Sequence, residues 1–170
     1  MKVYNFSPGP AKLDSSIISK SQEAMYNLQN TGLSILEIGH RSKEFEKLMN
    51  SLQENIRNIF NVPTNYFTLF LQGGATFQNT FIANNFDKRD KDLGCLVTGT
   101  WGKNTFDDFS KIRETKLIEL SQDEIENFVE SGEDLKNVDY LHLTSNETIN
   151  GVQLREFNKI NHDSLLIDMS

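Results

Sequence analysis

The period of the hydrophobic pattern changes near residue 66, and this change limits the fold more than any other feature. Between Phe45 and Phe60, apolar residues recur at steps of three and four, which predicts an amphipathic helix capped by Ser42. Beyond residue 66 the apolar runs are short, and stretches with helical character separate them. Strands that alternate with helices form parallel sheets, because each helix carries the chain back across the sheet. We therefore expect an α/β protein with a mostly parallel sheet and helices on both faces.

The same pattern predicts where the other elements lie. Asp14 or Ser15 begins a first helix, which leaves residues 1–14 as an extended arm that contains prolines. A capping box at Ser121 predicts the start of a later helix. Strands are predicted at 66–71, 93–98, 116–120, 138–143 and 164–168, and further helices at 75–86 and 101–112.

The composition excludes several functions. Seventeen Lys and Arg against 24 Asp and Glu give a net charge of −7, whereas a nucleic-acid-binding face needs clustered positive charge. Cys95 is the only cysteine, which excludes an internal disulfide and a multi-cysteine zinc site, and we predict no metal site. No apolar run approaches the ~20 residues of a membrane span, and the N-terminus lacks a signal-peptide pattern. We expect a soluble, cytoplasmic protein that binds neither membranes nor nucleic acids.

Polar residues follow the predicted strands, at the edge where doubly wound sheets bind their ligands. At Gly73-Gly74 two glycines precede a helix, so the backbone can approach an anion at the helix N-terminus, and Thr76 adds a hydroxyl. The alternative is a tight turn that requires positive φ, and the two glycines viewed alone favour it. Together these segments can enclose one cavity; they are 73–76, 98–101, 144–148 and 168–170.

Each of the other candidate residues also has two interpretations. Trp101 can stack on an aromatic ligand or be a core side chain. The hydroxyl and amide groups of residues 144–150 can hold the polar edge of a ligand, or they can form a solvated loop or a helix cap. Asp168 ends an apolar strand, where a carboxylate pairs with a cation or a protonated ring nitrogen, unless it is exposed or caps a helix. Arg41 offers donors for a carboxylate or phosphate, or it is a surface residue.

Three further reactive side chains receive no role in a site. Cys95 lies inside an apolar strand with no obvious base beside it, so we expect a buried, unreactive thiol. His142 falls within a predicted strand and His162 in a loop, and neither is assigned a function.

Several short motifs occur in a defined order along the whole chain. They are NFSPGPA at 5–11, TGLS at 31–34, HRSKEF at 40–45, FLQGGA at 70–75, TGTW at 98–101, TSNETING at 144–151 and DMS at 168–170. The series resembles the N-terminal part of the phosphoserine aminotransferase family, whose members are fold-type I enzymes that use pyridoxal phosphate (PLP). The NFSPGP, HRSKEF and SNETI motifs together are typical of this family rather than of PLP enzymes in general.

The resemblance implies roles for residues that would bind the cofactor. It places the PLP phosphate at Ala75 and Thr76, and the pyridine ring against Trp101. Thr148 matches a hydroxyl that binds the phenolic oxygen of the ring, and Asp168 matches a carboxylate that pairs with the pyridine nitrogen.

The resemblance also implies a substrate contact and a domain assignment. Arg41 matches an arginine that binds the amino-acid or phosphate end of the substrate, and His40 is a weaker candidate. Residues 15–170 would form the front portion of a large PLP-binding domain like that of aspartate aminotransferase. The family's Schiff-base lysine lies beyond the Asp-Met-Ser strand, so this chain looks truncated and is expected not to transaminate alone.

The implied reaction is reversible transfer of an amino group between L-glutamate and 3-phosphohydroxypyruvate, which gives 2-oxoglutarate and O-phospho-L-serine. The resemblance further implies a role in serine biosynthesis, in some relatives also in pyridoxine biosynthesis, and a homodimer. Three alternatives remain open on the residues themselves. They are another PLP enzyme of the same fold, a non-catalytic α/β module that binds a phosphorylated metabolite, and a purely structural fragment whose motifs reflect only descent.

Overall fold

The computed structural model describes residues 3–86, 92–121, 124, 128, 135 and 138–170. The chain divides into two compact units, Met1–Phe70 and Leu71–Ser170. Residues 3–13 of the first unit contain no helix or strand. The assignment of residues 1–14 to an arm and of residues 15–170 to one PLP-binding domain stays a prediction.

Two predicted helices and their caps lie in the first unit. The Asp14 carboxylate accepts a hydrogen bond from the amide of Ser16 (2.8 Å). Hydrogen bonding from the Ser16 side chain, and to a lesser extent from this amide, lowers the pKa of Asp14. Ser42 Oγ accepts one from the amide of Phe45 (3.2 Å), as its position predicts. The elements are α1 (Ser15–Tyr26), α2 (Lys43–Phe60) and the short 3-10 helices Leu28–Asn30 and Ile35–Glu37.

The strand predicted at 66–71 is wrong, because this segment forms no strand. Its apolar side chains are exposed, and Phe67 reaches 91%. A strand needs a neighbouring backbone to supply its hydrogen bonds. Here side chains of α2 take that place: Arg57 Nη2 donates to the carbonyl of Tyr66 (2.6 Å) and Gln53 Nε2 to that of Thr68 (3.4 Å).

The second unit contains a four-stranded parallel sheet, which confirms the predicted α/β class. The sheet strands are β1 (Leu93–Val97), β2 (Thr115–Glu119), β3 (Tyr140–Thr144) and β6 (Leu165–Asp168), and the helices are α3 (Gly74–Asn85) and α4 (Thr100–Ser110). The strand order in the sheet is β2-β1-β3-β6. The five residues of β1 are all buried, as expected for a strand covered on both faces.

Apolar side chains cover the two faces of this sheet in separate clusters. One cluster joins the sheet to α3 and α4 and contains Leu93, Cys95, Val97, Ala83 and Phe109. The other covers the opposite face and includes Leu96, Leu141, Leu143, Phe128 and Ile160. Successive residues of a strand point to opposite faces, so β1 contributes alternately to both clusters.

One element was not predicted and another cannot be tested. A short antiparallel hairpin follows β3 and consists of β4 (Asn146–Glu147) and β5 (Val152–Gln153). Most of the helix predicted after Ser121 lies outside the described residues. No helix in the described part of the chain is both long and apolar enough to cross a membrane.

Candidate cofactor site

Three strands of the sheet end side by side, and the polar segments that follow them meet at this edge. In the parallel registers, Leu96 lies beside Leu143, and Thr144 lies beside Asp168. The amide and hydroxyl of Ser145 donate to the carbonyl of Asp168 (2.9 and 3.2 Å), which fixes the end of β3 to the end of β6. The sequence prediction that these strand ends lie together is therefore confirmed for β3 and β6.

A cleft of about 360 Å³ lies between α3 and the end of β6. Small-molecule sites typically measure ~300–1,000 Å³, so this space suits a compact ligand. Asp168 supplies a carboxylate to its wall, and α3 supplies most of the opposite side. The lining residues are Ala75, Gln78, Asn79, Ile82, His142, Leu165, Leu166, Ile167, Asp168 and Met169.

The start of α3 presents backbone amides that no side chain of the described residues caps. Gly73, the residue before the helix, has φ 95° and makes no side-chain capping bond, and Gly74 has φ 63°. Both glycines therefore satisfy the positive-φ interpretation. The first amides of a helix lack acceptors within it, and Ala75 and Thr76 are exposed. This geometry also suits an anion, so the two interpretations of the glycine pair are compatible.

A buried hydroxyl without a partner lies beside Asp168, on the sheet face that forms the floor of the cleft, although its residue, Thr144, does not line the cleft. Thr144 pairs in register with Asp168, so their side chains project from the same face of the sheet. Among the described residues, Thr144 Oγ1 is the buried side-chain atom that forms no hydrogen bond. The Asp168 carboxylate itself accepts a bond from the amide of Ser170 (2.9 Å). Unpaired polar atoms of this kind favour a ligand with polar groups of its own.

His142 forms an uncharged part of the same floor. It is 2% exposed, its Nδ1 lies 3.9 Å from Cys95 Sγ, and its ring meets that of Phe109 edge to face at 5.3 Å. Burial lowers the pKa of His142 to about 4, while the nearby charge of Asp168 acts in the opposite direction. The imidazole is therefore neutral near pH 7.

Cys95 is a buried, unreactive thiol, as its position in an apolar strand predicts. Burial, with a smaller contribution from the charge of Glu147, raises the pKa of Cys95 to about 12. Its Sγ lies 3.6 Å from the carbonyl oxygen of Gly102, in the first turn of α4. Because only the thiolate is a strong nucleophile, this cysteine is not a catalytic candidate.

The start of α4 is capped by side chains from the loop after β3. The Glu147 carboxylate accepts bonds from the amides of Trp101 and Gly102, both at 2.7 Å. Asn150 Oδ1 accepts bonds from the amide and the hydroxyl of Thr100, both at 2.9 Å. The helix-cap interpretation of residues 144–150 is thus confirmed, and the ligand-binding interpretation stays a prediction.

Trp101 lies at this helix start and is not a core side chain. It is 40% exposed, so the core interpretation is wrong. Its indole Nε1 donates to Thr148 Oγ1 (2.9 Å), which links two of the predicted cofactor residues directly. Because the side chain is partly exposed, it can contact a ligand.

The predicted site residues thus fall into separate groups. Ala75 and Asp168 line one cleft, and Thr76 follows Ala75 on α3. Trp101 and Thr148 form a bonded pair that is not among the residues lining that cleft. Arg41 lies in the first unit, exposed in the turn before α2, and His40 beside it is also exposed.

Sequence reasoning missed three residues of this region. His142 received no role, although its place two residues before the end of β3 puts it on the same face as Thr144. Glu147 and Asn150 were included only as members of a polar loop. No sequence signal marks them as caps of α4, because the helix that they cap starts more than 40 residues earlier.

Comparison with known proteins identifies the family of this chain. Residues 3–170 match the model of the aminotransferase class-V family, so the chain belongs to that family. Among curated relatives, a phosphoserine aminotransferase of Geobacillus kaustophilus is 37% identical over 173 residues, covering 99% of this chain and 48% of that protein.

Solved structures of phosphoserine aminotransferases are also similar. The enzyme from Bacillus circulans subsp. alkalophilus has a TM-score of 0.85 and 34% identity to this chain. The matched region covers 99% of this chain and 48% of the Bacillus chain. The PLP-bound enzyme from Trichomonas vaginalis has a TM-score of 0.81 and 30% identity over the same shares of the two chains. The present chain therefore spans about half the length of the relatives that it matches.

Proposed function

We propose that this chain is the N-terminal part of a phosphoserine transaminase that uses PLP. The reaction is reversible amino transfer between L-glutamate and 3-phosphohydroxypyruvate, which gives 2-oxoglutarate and O-phospho-L-serine. The observation that carries the proposal is the cleft that brings the Asp168 carboxylate together with the start of α3. The family match over residues 3–170 supports it.

The residues of the cleft fit the chemistry of this cofactor. When bound, PLP supplies an electron sink, provided that its pyridine nitrogen carries a proton. A carboxylate beside that nitrogen favours the protonated form, and Asp168 is the carboxylate that lines the cleft. Thr144 Oγ1, a buried atom that forms no hydrogen bond in the described part of the chain, lies beside Asp168 on the same face of the sheet.

The start of α3 is the proposed phosphate site. The amides of Ala75 and Thr76 belong to the first turn, where the helix dipole favours negative charge. Thr76 adds a hydroxyl donor. Gln78 Nε2 donates to the carbonyls of Gln72 and Gly74 (3.0 and 3.2 Å), which holds the loop closed without using these amides.

Trp101 and Thr148 are proposed to contact the ring of the cofactor. The indole would stack on the pyridine ring and orient it. A hydroxyl can accept and donate at the same time, so Thr148 can accept from Trp101 Nε1 and still donate to the phenolic oxygen. The observed pair is therefore compatible with both proposed roles.

Arg41 is the proposed contact for the carboxylate or phosphate of the substrate. Its guanidinium suits planar anions, and it is exposed in the first unit. His40 beside it is a weaker candidate. We further propose that the whole protein is a cytoplasmic homodimer that acts in serine biosynthesis, and that it can also serve pyridoxine biosynthesis.

A second candidate is a non-catalytic module that binds a phosphorylated metabolite. It is favoured by the lining of the cleft, which contains no lysine among the described residues. Lys103, in the first turns of α4, contacts Asp107 (3.1 Å) and the ring of Phe106 (4.8 Å) instead. Because the family's chemistry needs a lysine in the site, we expect this chain alone not to transaminate. Repeated turnover of glutamate and 3-phosphohydroxypyruvate by the isolated chain would contradict this expectation.

Fluorescence titration with PLP tests the proposal, because Trp101 is the only tryptophan. PLP should quench its emission to saturation in the unaltered chain. Asp168→Asn should weaken PLP binding by about tenfold or more, since a charge-assisted contact of at least ~1.4 kcal/mol is lost. Asp163→Asn is the matched control, because Asp163 is an exposed aspartate outside the cleft.

The outcomes separate the two candidates. If the chain is a non-catalytic binding module, O-phospho-L-serine, which has no pyridine ring, should compete with PLP at a similar concentration. Its binding should then be unchanged by Asp168→Asn. Equal PLP affinity of Asp168→Asn and Asp163→Asn would contradict the proposed cofactor site.

A further inference from the structure

The most deeply buried carboxylate in the described part of the site belongs to Glu147, a residue to which the proposed function gives no role. It is 1% exposed. A buried carboxylate is costly unless donors surround it, and Glu147 receives two short amide bonds at 2.7 Å. Both donors belong to the first turn of α4, where the helix dipole also favours a negative charge. The interaction is thus a complete charge-assisted cap.

Two glycines make room for this carboxylate. A Cβ on Gly99 would lie 2.7 Å from Glu147 Cδ, and one on Gly102 would lie 3.1 Å from Glu147 Oε1. The backbone of α4 therefore packs directly against the carboxylate. Such close contact leaves Glu147 few alternative positions.

Glu147 and its neighbour together hold Trp101 at two points. The amide of Trp101 donates to the Glu147 carboxylate (2.7 Å), and its indole Nε1 donates to Thr148 Oγ1 (2.9 Å). The Trp101 side chain is 40% exposed, so core packing alone does not determine its orientation. These two bonds are the contacts that tie Trp101 to the segment after β3.

We propose that Glu147 is a positioning residue that fixes the start of α4 and thereby the indole of Trp101. This inference rests on the proposed function in so far as Trp101 stacks on the cofactor. A stacking residue is effective only when its ring is held in place before the ligand arrives. Glu147 acts through Trp101 and does not itself touch the ligand.

Glu147→Gln is the sharpest test, because it preserves the shape of the side chain. The Gln amide nitrogen is a donor only, so it cannot accept from a second backbone amide. We expect the emission of Trp101 to shift and its quenching by acrylamide to rise. Glu156→Gln is the matched control, since Glu156 is exposed and pairs with Lys159 on the surface.

Amide hydrogen exchange gives a second measurement that needs no variant. First-turn amides normally exchange rapidly, but those of Trp101 and Gly102 should be protected in the unaltered chain, unlike those of Ala75 and Thr76. Glu147→Gln should lower this protection by about tenfold or more. If the variant does not fold, the exchange protection of these amides in the unaltered chain still tests the proposal. Rapid exchange of the Trp101 and Gly102 amides there would overturn it.

The PLP titration links the two proposals and keeps their failures distinct. Glu147→Gln should weaken PLP quenching by about tenfold, the equivalent of one lost contact. If PLP does not quench the unaltered chain, the proposed function fails, while emission and exchange still test Glu147. If Glu147→Gln matches Glu156→Gln in emission, quenching and exchange, the positioning role is wrong whatever PLP does.

Discussion

Helices α3 and α4 both begin at the same edge of the sheet, but they differ in how the backbone amides of their first turns are capped. Neither has a capping side chain on the residue before it, which is Gly73 for α3 and Gly99 for α4. The α4 start instead receives Glu147 and Asn150 from a distant loop. The α3 start receives no such side chain among the described residues, and its first turn is exposed.

The difference shows why one helix start is the better candidate for an external anion. Amides that already bind a buried carboxylate have no capacity left, and a second negative charge would be repelled by Glu147. Amides of Ala75 and Thr76 keep both their donors and the favourable dipole. The first-turn amides of α4 therefore bind Glu147 beside Trp101, whereas those of α3 remain available for the proposed phosphate.

The largest expected effect is destabilisation by acid, because the floor of the α3 cleft contains the buried His142. Its pKa is about 4 in the folded chain against 6.5 in the unfolded chain. Between these values the unfolded chain binds a proton that the folded chain does not. The free energy of unfolding should therefore fall by up to about 3 kcal/mol as the pH falls from 6.5 to 4, with no contribution from His142 above this range.

Urea unfolding at a series of pH values measures this effect. His142→Gln should remove most of the slope between pH 6.5 and 4, while His40→Gln should keep it, since His40 is exposed. Carboxylates also titrate at the acid end of this range, but they are the same in all three chains. An unchanged slope in His142→Gln would show that the buried imidazole is not the cause.

The sequence predicts local features of the fold well and the difference between the starts of α3 and α4 poorly. The caps at Asp14 and Ser42 and the buried run of β1 follow from residues close to one another in the chain. The cap of α4 does not, because Glu147 lies 46 residues beyond Trp101. Nothing local marks that contact.

The same distinction explains the strand that was wrongly predicted at 66–71. Its apolar, aromatic composition is typical of a strand, but composition does not specify the neighbouring backbone that a strand needs. Arg57 and Gln53 bind its carbonyls instead. His142 was missed for a related reason, since its contact with Cys95 depends on the register between β1 and β3. Non-local pairing, rather than local propensity, is what the sequence left undetermined.

Glycine-to-alanine substitutions offer a smaller but direct comparison of the two starts. Gly99 has extended backbone that any residue adopts, but its Cβ would meet Glu147 Cδ at 2.7 Å and Asn150 Oδ1 at 2.8 Å. Gly74 has φ 63°, and nothing lies within 4 Å of its Cβ. We expect Gly99→Ala to cost about 2 kcal/mol through crowding and Gly74→Ala about 1 kcal/mol through backbone strain.

Urea unfolding with a double-mutant cycle checks the cause as well as the size. If crowding against Glu147 is responsible, the cost of Gly99→Ala should shrink when Glu147→Ala is already present. The cost of Gly74→Ala should stay the same in that background. A larger cost for Gly74→Ala than for Gly99→Ala would reverse the comparison.

The weakest expected effect is the binding of inorganic phosphate, which reports on the first turns themselves. Backbone amide shifts should move to saturation for Ala75 and Thr76, because these donors are free and the helix dipole attracts the anion. The amides of Trp101 and Gly102 should not move, because Glu147 already occupies them. Added salt should weaken the response, since the site is exposed and its charge is screened. Equal shifts at both helix starts would mean that phosphate binds without regard to the cap, and that the Glu147 carboxylate does not close α4 to anions.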